Sequence, residues 1–244
     1  PHLRLPSAQG VLAQLSAHAH CVHKDRVWSD WLALERQKDA SPEMRARAIW
    51  LVTRTFVRAG HTRLAVRFAE RHASSAPAQG TQLLNTLLTG ILEDTRKCRS
   101  VHDRTCVLRH MYECVGQAAR RSQANTMPTL PVLPELVSSA PSRAAQRVLW
   151  LLARVERLIN THALCPNVHT LQLLIRAATK WDASMDSQAL WDMAALAPPR
   201  SPHTHRMRYT LFSELASALQ RRADTRSARR VRALLRHHRR RVKP

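Results

Sequence analysis

Glycine is scarce in this 244-residue chain, with five copies, and aromatic residues make up only 5%. Both shortages argue against a turn-rich β protein, which needs glycine at its tight turns and aromatics along its strands. Acids are scarce too: 17 Asp and Glu stand against 39 Lys and Arg, for a formal charge of +22. No apolar run approaches the ~18–20 residues that span a bilayer. The best, Val148 to Ala153, reads as the buried face of a helix, so no membrane span is expected. Also missing are a glycine-rich phosphate loop, a nucleophile elbow, a paired Cys-x-x-Cys and a clustered carboxylate pair. General acid–base work needs poised groups gathered in a cleft. The scattered acids promise none, so the chain is expected to be non-catalytic, with no cofactor and no small-molecule substrate.

What is present is arginine. Lysine occurs only at positions 24, 38, 97, 180 and 243, which leaves 34 arginines (39 − 5). The planar guanidinium offers a bidentate fork to phosphate oxygens, so this bias suits a polyanion, and RNA is the expected acidic partner. A GC-rich coding sequence would also favour Arg over Lys, but it does not account for the shortage of Asp and Glu. Apolar residues reach 44%, enough for the chain to fold. Five cysteines, an odd number, point to a reducing compartment rather than a disulfide framework. An Arg-rich, Ala/Ser-rich, acid-poor chain that opens on proline rather than methionine is what an organelle import product would look like, and a mitochondrial matrix location is the expectation.

One phrase is written three times with different residues: an apolar helix, a short break, then a second helix opening near an alanine. The first copy runs from Ala48 through Arg58-Ala59-Gly60 to Ala65 and Ala69. Another runs from Pro166 to Ile175 and continues over Ala189 to Met193. The last runs from Leu215 to Asp224 and continues over Ala228 to Leu235. Two-helix repeats of roughly 35 residues imply stacking, because one helix pair cannot bury its own apolar face. The fold class expected is all-α: an α-solenoid of about six stacked antiparallel helix pairs, forming one domain over 1–244. Helices are expected at 8–20 and 27–37, at 43–58 and 62–73, and at 81–95 and 101–120. Ser41-Pro42-Glu43 signals a helix start, and 74–80 reads as a loop. The segment 122–142 carries Pro128, Pro131, Pro134 and Pro141 and reads as an irregular unit, with at most a short helix at Glu135 to Ser139. Helix resumes over 143–161. A fifth unit spans 167–196 up to the Pro198-Pro199 break, and a sixth runs from 203 to 240.

Pro166-Asn-Val-His-Thr-Leu-Gln-Leu-Leu-Ile175 resembles the opening of a pentatricopeptide repeat, whose common form is Pro-Asp-Val-Val-Thr-Tyr-Asn-Thr-Leu-Ile. Arg58-Ala59-Gly60 resembles that family's Lys-Ala-Gly break, and Val52 to Ala65 and Leu215 to Ala228 share its 13-residue offset. The likeness covers three units; the rest is helical pairing of similar size. The resemblance implies RNA binding, with one base read per repeat. The family's principal base-reading position falls on Trp50, Gln172 and Ser213, and only Ser213 has a usual residue there. Together with the composition, the likeness extends to the pentatricopeptide-like proteins of divergent mitochondrial ribosomes, notably of kinetoplastid protists. Such repeats serve there as architectural pieces against ribosomal RNA and other proteins.

The strongest local signal is the basic C-terminal helix and tail, 221–244. Ten arginines and Lys243 face the single acid Asp224. Arg221, Arg222, Arg226, Arg229, Arg230, Arg236, Arg239, Arg240, Arg241 and Lys243 are the expected RNA-binding residues. Val231, Leu234 and Leu235 leave only a narrow apolar stripe. A solvated face normally mixes signs; this one does not, which favours phosphate contact. A second pattern is the ladder Cys98, His102, Cys106, His110, Cys114, every four residues. A Cys–His neighbour pair could supply two zinc ligands. The face drifts ~40° per step, however, so five ligands cannot converge on one ion, and small core residues are the simpler reading. His18, His20 and His23 lie near Cys21 with only Asp25 as an acid close in sequence. His203 and His205 flank a loop next to Pro202, and all five read as solvated or RNA-facing imidazoles. The six tryptophans read mostly as core. Asp25-Arg26, Glu35-Arg36, Glu70-Arg71 and Glu156-Arg157 read as exposed charges of little energetic weight, because adjacent helical residues do not face each other.

These features predict a non-catalytic, RNA-associated structural component of a mitochondrial ribonucleoprotein, foremost the ribosome, touching RNA phosphates and neighbouring subunits. The alternatives are a free pentatricopeptide-type RNA processing or stability factor, and a protein-only helical scaffold.

Overall fold

In a computed structural model, the described residues are 7–122, 140–162, 164–181, 202–221 and 224–241. Their regular structure is all helical. The ten α-helices among them are α1 (Ala8–His20), α2 (Lys24–Glu35), α3 (Pro42–Arg58), α4 (Thr62–His72), α5 (Gly80–Arg96), α6 (Val101–Ser122), α7 (Arg143–His162), α8 (Val168–Lys180), α9 (Pro202–Arg221) and α10 (Thr225–Arg241). The expected loop at 74–80 is instead wound into two 3-10 turns, Ala73–Ser75 and Pro77–Gln79, and α5 starts at Gly80 itself. The short helix expected at Glu135 to Ser139, the second half of the fifth unit and the Pro198-Pro199 break lie outside the described residues.

Local chemistry explains the boundaries. The Ser7 hydroxyl accepts from the Gly10 N–H at 3.3 Å, and that of Ser41 from the Met44 N–H at 3.2 Å. Each satisfies a donor that the first helical turn leaves orphaned. The Glu43 backbone N–H and the Ser41 hydroxyl hold the Glu43 carboxyl below its ordinary value, as a negative charge at a helix start should be. At α8, Asn167 and Thr170 form a reciprocal capping box, each side chain accepting from the other's backbone N–H at 3.0 Å. At the far end of α3, the Gly60 N–H donates to the Val57 carbonyl at 2.9 Å and the His61 N–H to that of Phe56 at 2.8 Å. This Schellman closure needs Gly60 at φ +78°. Helix α1 closes the same way on Val22, a β-branched residue held at φ +60°.

The chain gathers into two compact units: Pro1–Asp94 with Trp150–Cys165, and Thr95–Leu149 with Pro166–Pro244. In the first, α1 packs on α2, both pack on α3, and α3 packs on α4. Trp31 and Phe68 meet edge to face at 5.3 Å, and Phe56 and Phe68 at 6.2 Å, in the seam of α2, α3 and α4. Gly90 lets α5 come close. A Cβ there would stand 2.9 Å from Thr62 Cγ2 and 3.1 Å from both Val57 methyls.

Residues 150–162 of α7 return to α4, 84 positions back, where the Arg154 Nε donates to Glu70 Oε1 at 2.6 Å and Nη2 reaches Oε2. Glu70, expected to be an exposed charge, is thus a half-buried partner in a two-pronged pair. The expectation failed because a neighbour-by-neighbour reading cannot see a guanidinium that arrives from another helix. Trp150 lies under Arg154 and Arg63, at 4.7 and 5.6 Å from ring centroid to guanidinium carbon.

In the second unit, α6 packs on α8, α8 on α9 and α9 on α10. Asp103 of α6 is buried and accepts from the Ser142 N–H at 3.0 Å, just before α7. Burial pushes the Asp103 carboxyl up. The Ser142 hydroxyl, the Ser142 N–H and nearby His102 outweigh that and bring it below its ordinary value. Between α8 and α9, the Glu214 carboxylate receives the Arg176 guanidinium, with Nε at 2.8 Å, and the Gln172 amide at 3.2 Å.

Candidate nucleic-acid interface

Helix α10 has the sequence Thr225-Arg-Ser-Ala-Arg-Arg-Val-Arg-Ala-Leu-Leu-Arg-His-His-Arg-Arg-Arg241, without a single acid. Ala228 and Val231, three apart, are buried and fix which stripe faces inward. The other side carries exposed Arg226, Arg229, Arg230, Arg232 and Arg236. Arg232, absent from the expected set, donates to Gln220 Oε1 of α9 and braces the two helices. Among the described residues no carboxylate pairs with Arg226, Arg229, Arg230 or Arg236. Arg221 ends α9 exposed, its Nε donating to the Ser217 carbonyl at 3.4 Å. The backbone of Arg239, Arg240 and Arg241 completes α10, while Arg222 and Lys243 lie outside the described residues. A one-signed guanidinium array on a packed helix can hold several phosphates of one strand at once.

The base-reading positions implied by the repeat likeness fare differently. Gln172 is 6% exposed and its amide is bound to Glu214, so it has no edge to offer a base. The Trp50 indole N–H donates to Thr86 Oγ1 at 3.2 Å, and the Arg54 guanidinium lies 5.3 Å over its ring. Ser213 is exposed on α9.

The Cys–His ladder lies along α6, with Cys98 in the turn before it. Cys98 and Cys114 are buried, while His102, Cys106 and His110 are half-buried. Burial raises the Cys106 thiol above its ordinary value. Among the described residues, no three or more His, Cys, Asp and Glu side chains gather as a metal ion would require. No disulfide joins the cysteines.

His18 is not simply solvated: its Nδ1 lies 2.6 Å from Asp30 Oδ2 across the α1–α2 hairpin, a partner twelve residues away that sequence neighbours could not supply. His20 and His23 are exposed. His203 and His205 fall within the first turn of α9. Trp31 is core, but Trp28 is 39% and Trp150 46% exposed, so neither matches the expected core role.

Two features of the first unit escaped the sequence reading. A wide groove of about 1030 Å³ runs between α1 and α3, lined by Arg47, Arg54 and His20 among smaller residues. A second groove, of about 390 Å³, joins Lys24 and Trp28 of α2 to Arg67 and Arg71 of α4. The i, i+4 spacing of each pair was visible in the sequence, but their convergence was not.

The class these elements define is an all-helical protein with an arginine-faced helix, and among the described residues no helix is long and apolar enough to cross a membrane. Compared with protein-family models, curated proteins and solved structures, the chain matches none.

Proposed function

We propose that this protein is a non-catalytic architectural component of a mitochondrial ribonucleoprotein, foremost the ribosome, built from pentatricopeptide-like helix pairs and holding RNA by its phosphates. The observation that carries the reading is α10, with five exposed arginines, no acid, and a buried Ala228/Val231 stripe that pins the array to α9. Exposed like charges repel one another and weaken the compact state. An array of this density is therefore best accounted for by a polyanion that neutralises it. Packing of α1 and α2 on α3, and of α3 on α4, supports the stacked-pair reading in the first unit. The return of α7 to α4 is a departure from strict neighbour-on-neighbour stacking.

Phosphate contact is favoured over base-by-base reading. Gln172 and Trp50 spend their polar groups inside the protein, which removes two of the three positions a sequence-reading factor would use. The experiment is sedimentation of the native particle from mitochondria with and without nuclease. The protein is expected to travel with a large RNA-containing particle and to leave it when the RNA is digested. Co-sedimentation that survives digestion would instead support the protein-only scaffold.

A further inference from the structure

We infer that the groove between α2 and α4 holds one unpaired nucleotide, its base stacked on Trp28 and its phosphate gripped by Arg67 and Arg71. This rests on the reading of the chain as an RNA-contacting protein, but it uses a different unit and different residues from α10.

The helical spacing builds the groove. On α4, Leu64, Arg67, Phe68, Arg71 and His72 recur at i, i+3, i+4, i+7 and i+8, so they share one face. Phe68 turns inward and is buried, while Leu64, Arg67 and Arg71 stay exposed. On α2, Lys24 and Trp28 stand one turn apart. Trp28 is fixed from below by Phe68 at 5.9 Å, edge to face, and by Phe56 at 6.2 Å. Those contacts hold the indole without covering it: 39% of the residue remains accessible. The result is a rigid, half-open aromatic platform rimmed by three cations, with Lys24 Nζ 3.4 Å from the His61 ring. Among the described residues, Asp25 is the one carboxylate in the lining. It would oppose a second phosphate, and it can accept a hydrogen bond from a base amino group.

The volume, about 390 Å³, is at the small end of the ~300–1,000 Å³ range of ligand pockets, which suits one base with its sugar rather than a folded partner. A purely apolar partner would leave Arg67 and Arg71 desolvated and unpaired. A duplex keeps its bases stacked and cannot offer a face to Trp28, whereas a single strand offers both a π-face and a phosphate.

The test uses the full chain with a labelled oligouridylate and, separately, a blunt RNA duplex of matched length. Trp28→Ala is expected to weaken single-strand binding on the order of ten- to a hundred-fold, the loss that removing one stacked base brings, and to leave duplex binding unchanged. Trp28→Phe keeps a π-face and should retain most of the single-strand affinity. Arg67→Ala with Arg71→Ala, on exposed positions that leave the aromatic seam intact, should weaken single-strand binding more than duplex binding. Equal losses on both RNAs, or none on the single strand, overturn the proposal. A wild-type chain that binds the duplex with a steep salt dependence while Trp28→Ala binds the single strand normally sinks the groove and spares α10. Failure of the wild type to bind either RNA sinks both.

Discussion

Val22 carries the plainest residue-scale cost in the described residues. A β-branched side chain at φ +60° crowds its own carbonyl, a penalty of about 1–2 kcal/mol that glycine does not incur. Glycine gives back part of this through a freer unfolded chain. Val22→Gly is therefore expected to raise unfolding stability by roughly 0.5–1 kcal/mol in denaturant titration. Gly60→Ala, at φ +78° with open space around it, should lower stability by about 1 kcal/mol by the same logic run backwards. His72 supplies a pH signature. Burial among Phe68 and Trp31 holds its imidazole below the ordinary value, with Glu35 pulling upward and Arg71 adding to the depression. The unfolded chain then binds more protons than the folded one, between the folded pKa and ~6.5. Stability from this group is therefore full above ~6.5 and falls as pH drops through that interval. Chemical denaturation of His72→Gln across this range should show a shallower fall than wild type. An identical pH dependence would remove burial of His72 as the cause.

At the scale of elements, the helices were legible because their ends are chemical. Ser41-Pro42-Glu43, Ala59-Gly60 and Pro166-Asn167 each mark a boundary that the fold uses, and α1, α3, α4, α5 and α7 fall within a residue or two of their expected limits. How one helix finds another was not legible. The Glu70–Arg154 pair joins positions 84 apart, the Gln172 amide turns inward toward Glu214, and Trp28 and Arg67 line one groove only because α2 and α4 both pack on α3. No local pattern encodes such meetings. The meeting of α5 with the α3–α4 turn is the one most open to test. Gly90→Ala would gain helix propensity of about 1 kcal/mol. Its Cβ would also press on Thr62 and Val57, both β-branched and stiff at χ1. Overpacking of this kind costs about 1–3 kcal/mol, so a net loss of up to about 2 kcal/mol is expected. Thr62→Ser, which deletes the methyl that is struck at 2.9 Å, should recover part of it in the Gly90→Ala background. A Gly90→Ala variant more stable than wild type would show that α5 is not held so close.

For the molecule as a whole, +22 is the governing quantity. Self-repulsion predicts that the protein alone becomes more stable as salt rises, while its hold on RNA weakens. The opposite signs separate a folding effect from a binding effect. The measurement that tests the account most directly is RNA affinity as a function of salt, for wild type beside Arg229→Glu with Arg230→Glu on α10. Each phosphate neutralised on a single strand contributes about −0.7 to the slope of log affinity against log salt. Four arginines on the exposed face of α10 that pair with no carboxylate among the described residues thus predict a wild-type slope of roughly −3 or steeper, and a clearly shallower one for the variant. A wild-type affinity that barely moves with salt, or a variant slope equal to wild type, would contradict the claim that α10 grips an RNA backbone.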